Sequence, residues 1–96
     1  MIKKEQFVKA INGLQPGEYI DMFVGDESEE PYIIFGKTRV FGNEIIIGKS
    51  LGDGQMFICQ DELHTTVEDL LGDLYDDLIY NEEVRIEKPY KMENWN

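Results

Sequence analysis

A chain of 96 residues with a formal net charge of −11 fits one domain, near the lower end of sizes that fold around a single core without metals or cross-links. An ordinary apolar content argues against intrinsic disorder, while the acidity argues against direct binding to nucleic acid backbones or to anionic lipid. A lone cysteine, Cys59, excludes an intramolecular disulfide, the opening MIKKEQFVKA lacks a secretory signal's apolar stretch, and no run approaches the ~18 residues of a membrane span; a cytoplasmic protein with no membrane association is expected.

Residues 2 to 12 read as a helix, because Phe7, Val8, Ile11 and Leu14 recur at helical spacing before Gly13 and QPG stop the pattern. EYIDMFV follows as a strand with Ile20, Met22 and Val24 on one face and Tyr19, Asp21 and Phe23 on the other. After the loop GDESEE, YIIFGKTRVF reads as a long strand in which Gly36 marks a bulge or bend, and Gly42 with Asn43 signals a tight hairpin. EIIIG returns, SLGDG turns the chain again, and QMFICQ completes a four-stranded antiparallel meander.

A second helix then begins, with Thr65 and Glu68 matching a capping box. Val67, Leu70, Leu71, Leu74 and Leu78 fall on one stripe and Asp69, Asp73, Asp76 and Asp77 on the opposite side. VRIEKPY offers a short edge strand with Val84 and Ile86 facing inward, and residues 88 to 96 read as a flexible tail. The expected fold is therefore α+β: an N-terminal helix, the meander and an acidic amphipathic C-terminal helix. Phe7, Ile11, Ile20, Met22, Ile34, Ile46, Phe57, Leu70, Leu71 and Leu74 are the expected core.

Several signals that look chemical fail on closer reading. GKT at 36 to 38 and GKS at 48 to 50 resemble the end of a phosphate-binding loop, but the required earlier glycines are replaced by Pro31 and Asn43, and each triplet follows a strand instead of opening a helix. Those glycines are expected to serve bends. Cys59 and His64 sit on different kinds of element and make a weak nucleophile–base pair, and no second histidine completes a transition-metal site. The calcium-loop spacing is absent as well. No catalytic residue, metal or cofactor is assigned, which leaves a carboxylate metal enzyme as a minor alternative.

The charge is unevenly placed. Residues 18 to 30 carry −6 and residues 61 to 83 carry −9, neither block containing Lys or Arg, whereas every other segment is slightly positive. A charge run is usually a solvated face. Three features argue for more here. Asp69 with Asp73 and Asp73 with Asp77 are like-charge pairs one turn apart, each costing about 0.2–0.5 kcal/mol. Asp76, Asp77, Glu82 and Glu83 crowd the helix C-terminus, where the dipole favours cations. Asp69 to Asp77 spans about 12 Å. Four carboxylates over that length give about one charge per 3 Å, close to the ~3.4 Å spacing along one strand of B-DNA.

In size, acidity and element order, and in its two acidic blocks, the chain resembles the small inhibitors of phages and mobile elements, including DNA-mimicking anti-restriction and anti-CRISPR proteins, and the acidic immunity proteins that block basic nucleases. The resemblance implies a non-catalytic protein whose partner is a basic protein surface, such as a nuclease or other nucleic-acid-binding protein. The expected contact residues are Asp69, Asp73, Asp76, Asp77, Glu82 and Glu83 from one block and Asp26, Glu27, Glu29 and Glu30 from the other. An adaptor that works through the aromatics Tyr19, Phe23, Tyr32 and Phe35, or through Tyr90 and Trp95 of the tail, is the alternative, and the second sheet face leaves a homodimer open.

Overall fold

The computed structural model describes residues 2–25, 29–79 and 83–91, the side chain of Ile79 excepted. Helix α1 (Lys4–Asn12) precedes strands β1 (Glu18–Val24), β2 (Ile33–Val40), β3 (Asn43–Ser50) and β4 (Met56–Cys59); α2 (Val67–Ile79), β5 (Val84–Ile86) and β6 (Tyr90–Lys91) follow. The expected α+β architecture and the antiparallel meander are both present. The sheet runs β4-β3-β2-β1-β5, with β6 also on β1, so the edge expected after α2 is built from two short strands. Tyr90 and Lys91, from the segment read as tail, pair with Tyr19 and Glu18. Residues 92–96 lie outside the described residues.

Both helices cover one face of the sheet. Phe7 and Ile11 of α1 and Leu71 and Tyr75 of α2 join Ile20, Met22, Ile33, Phe35, Ile46, Cys59 and Val84 in one buried cluster. The alternation expected along β1 and β5 holds. Along β2 it runs in the other phase: Ile33 and Phe35 point into the core, and Ile34 points away from it. Phe35 is consequently no surface aromatic, since its ring meets Phe7 and Phe57 edge-on at 6.0 and 6.1 Å. Tyr75, one turn after Leu71, enters the core and satisfies its hydroxyl by donating to the Ile2 carbonyl at 2.6 Å.

Neither GK glycine makes a bend. The β2–β3 register is unbroken from Ile33↔Ser50 to Val40↔Asn43. Gly36 instead faces Tyr19 across β1–β2, and Gly48 faces Phe57 across β3–β4. Each aromatic ring lies over its glycine so closely that an added Cβ would meet it at 2.7 Å and 2.3 Å respectively. Lys37, the next residue of the first triplet, donates its ammonium to the Asn12 carbonyl and so caps the C-terminus of α1.

Two local expectations shift by one residue. The hairpin turn is Phe41–Gly42, with φ of 51° and 82°, and Asn43 already belongs to β3. A positive φ at both central residues suits the twist of the flanking strands, at the expense of placing a bulky residue in the left-handed region; Phe41 is fully exposed there. At the start of α2 the capping hydroxyl is that of Thr66, which accepts the Asp69 N–H at 3.1 Å, while the Asp61 carboxylate accepts the Val67 N–H at 2.9 Å. Two acceptors on orphan amides, one of them charged, fix this end firmly.

Candidate functional site

Helix α2 lies antiparallel to α1, as two cross-links near its ends define. Lys4 pairs with Asp76 at 2.7 Å, and the Asn12 amide donates to Glu68 at 3.5 Å. Gly72 makes the first link reachable: the Lys4 stem crosses it, with the Cε only 3.0 Å from where a Cβ would stand. The hydrogen bond to Asp76 holds the Lys4 ammonium above its ordinary pKa, against an opposing desolvation and with the charges of Asp76, Asp73 and Glu5 adding to the rise. Gly72 and Lys4 escaped the sequence reading because the contact joins positions far apart in the chain.

Away from the core, Glu68, Asp69, Asp73, Asp76 and Asp77 are all exposed, and the last turn of α2 contains no basic residue. The expected stripe therefore exists as a surface. Asp76 is the member that α1 neutralises, which leaves Asp69, Asp73 and Asp77 as the outward charges of the expected set. An open groove of about 690 Å3 between the helices carries Lys4, Lys9 and Glu5 on one wall and Asp69 and Asp73 on the other, so its charge is mixed.

The second acidic block is brought to the same end of the molecule as the C-terminus of α2. Antiparallel pairing of Val24 with Val84 aligns the two segments, and the Gly25 N–H donates to the Glu83 carbonyl at 2.8 Å. Glu29, Glu30 and Glu83 are exposed there. Asp26, Glu27 and Glu82 lie outside the described residues, as does Trp95 of the tail.

The other face of the sheet is uncovered by either helix. Tyr19, Ile34, Ile47, Met56 and Ile58 alternate out of the core, the last two 63% and 58% exposed, and Tyr19, Ile34, Ile47 and Met56 surround a depression of about 530 Å3. Tyr90 stands beside Tyr19 with ring centroids 6.0 Å apart and donates its hydroxyl to the Asp21 carboxylate at 2.7 Å. Burial first, and that carboxylate second, push the Tyr90 phenol up to about 12. Phe23, on the same face, is sealed by the Arg85 guanidinium, 4.4 Å above its ring centroid.

Cys59 is buried on β4, which pushes its thiol pKa up and away from the reactive thiolate, and His64 is exposed in the segment before α2. No three His, Cys, Asp or Glu side chains gather to hold a metal ion among the described residues. Among these residues, too, no helix is long and apolar enough to cross a membrane. Compared with protein-family models, curated proteins and solved structures, the chain matches none.

Proposed function

We propose that this protein is a non-catalytic binding protein whose acidic α2 face engages a basic, nucleic-acid-binding protein, with a nuclease as the favoured partner, by presenting charge in the manner of a nucleic acid strand. The observation that carries this reading is a 13-residue helix on which the carboxylates of Asp69, Asp73 and Asp77 are exposed and whose last turn lacks a cation. Such a helix bears repeated like-charge penalties and an unfavourable dipole, and both are offset when a basic groove covers it. Glu29, Glu30 and Glu83 at the adjoining end extend the negative surface. An inhibitor of the phage or mobile-element kind fits this chemistry.

The test is a triple exchange of Asp69, Asp73 and Asp77 to Asn, which removes outward charge and spares the Lys4–Asp76 pair. The partner that co-purifies from the native host is identified by mass spectrometry, and its association with the parent and the variant is followed at low and high salt. The variant should keep its fold and associate more slowly at low salt, with the difference shrinking as salt screens the field. It should lose more than a control with Glu5, Glu44 and Glu87 exchanged to Gln, and duplex DNA should compete with the parent for the partner. Equal association rates for parent and triple variant at low salt, or a complex indifferent to DNA, would refute the mimic.

A further inference from the structure

The uncovered face of the sheet differs from the rest of this acidic molecule in charge as well as polarity. One row across it reads Asp21, Ile34, Lys49, Met56 on β1 to β4, each the direct partner of the next. The neighbouring row reads Tyr90, Tyr19, Gly36, Ile47, Ile58 on β6, β1, β2, β3 and β4. The first row holds one anion and one cation, equally spaced on either side of β2; the second holds none. Adjacent strands lie about 4.8 Å apart, so Asp21 and Lys49 stand about 10 Å from one another with Ile34 midway.

This spacing is self-complementary. A two-fold axis laid along β2, between two copies placed face to face, sets β1 of one copy opposite β3 of the other at the same level along the strands. Asp21 then meets Lys49 of the second copy, and Lys49 meets its Asp21, with Ile34 against Ile34 on the axis. In the other row Tyr19 meets Ile47 and Tyr90 meets Ile58, while Gly36, which has no side chain to project, sits at the centre. The Tyr90 hydroxyl already holds the Asp21 carboxylate in place. We propose that this face is the contact surface of a homodimer, a second copy of the chain being its occupant.

The acidity of the chain favours this face over any other for self-association. Face-to-face sheets sit about 10 Å apart, and the helices form a further layer about 10 Å thick on each outer side. The acidic α2 faces thus point away from each other, beyond the ~8 Å screening length at physiological salt. Contact of α2 with α2 would instead press like charges together. The dimer is independent of the reading given for α2, and it leaves both acidic faces outward.

Sedimentation equilibrium over a wide concentration range tests the proposal. The parent should show a reversible species of twice the chain mass at tens of micromolar, within the ~10⁻⁶ to 10⁻⁴ M range of modest interfaces. Lys49→Asp should weaken dimerisation at least about tenfold by setting two carboxylates against each other, and Ile58→Glu should weaken it as well. The double exchange Asp21→Lys with Lys49→Asp should regain most of what Lys49→Asp loses, with circular dichroism confirming that each variant is folded. A parent that stays monomeric throughout overturns the proposal, whether or not another protein binds this face. So does a dimer indifferent to Lys49→Asp and Ile58→Glu, or a double exchange no better than the single one.

Discussion

Gly48 beneath the Phe57 ring and Gly36 beneath the Tyr19 ring are the same cross-strand pair built on opposite faces of one sheet. On the covered face the Phe57 ring is held from its far side by Phe35, so the glycine opens a slot that no other residue could leave free. On the uncovered face the Tyr19 ring has Tyr90 beside it, but no helix above it. The first pair is a packing constraint. The second flattens a surface, laying an aromatic ring against the backbone where a side chain would have raised it. Identical local geometry therefore carries different energies, because the cost of disturbing it depends on whether the ring has somewhere to go.

The largest contrast between the faces should come from side-chain truncation. Leu71→Ala, at a position with no exposure, should cost about 2–5 kcal/mol in denaturant melts, whereas Ile58→Ala should stay within about 0.5 kcal/mol for the monomer. Comparable losses at both positions would mean that the second face is covered in the monomer too. Adding a carbon should separate the faces less widely. Gly48→Ala should cost about 1–3 kcal/mol by overpacking, and Gly36→Ala no more than about 0.5–1.5 kcal/mol, the cost of turning Tyr19 off its rotamer. The comparison breaks if Gly36→Ala is the more damaging of the two.

The smallest effect is a pH dependence. Burial and the Asp21 carboxylate favour the neutral Tyr90 phenol in the fold, raising it from 10.0 to about 12. Its contribution to stability is thus fully present below pH 10, where the phenol is protonated folded or unfolded, and is lost as the pH climbs from there through about 12. Absorbance titration of the folded protein should show a phenol that ionises late, and Tyr90→Phe should abolish that phase. A late phase that survives in Tyr90→Phe would assign it to another ring.

What the chain reveals on its own follows from how local each feature is. Asp21 between Ile20 and Met22 in EYIDMFV settles which face of β1 packs under the helices, since a shift by one residue would bury Asp21. YIIF is apolar at consecutive positions and permits either phase, so the choice between Ile33 and Ile34 is made by the partners of β2 and by Phe7 and Ile11 above it. Thr65 and Thr66 are both able to cap, and the Asp61 carboxylate held against Val67 accompanies the second. The acidic stripe on α2 is readable because helical spacing is local. The pairing of Asp76 with Lys4 and the meeting of Gly25 with Glu83 are long-range contacts that no local pattern encodes.

Cys59 offers a kinetic view of the same architecture. It is the only thiol in the chain, it is nearly inaccessible, and it belongs to the buried cluster that contains Leu71 of α2. With the thiolate suppressed by burial, a disulfide reagent can react only through openings that part β4 from the layer above it. The labelling rate in buffer becomes a clock for those openings, read at a single natural atom. It would tell whether α2 stays a rigid body on the sheet or peels from it.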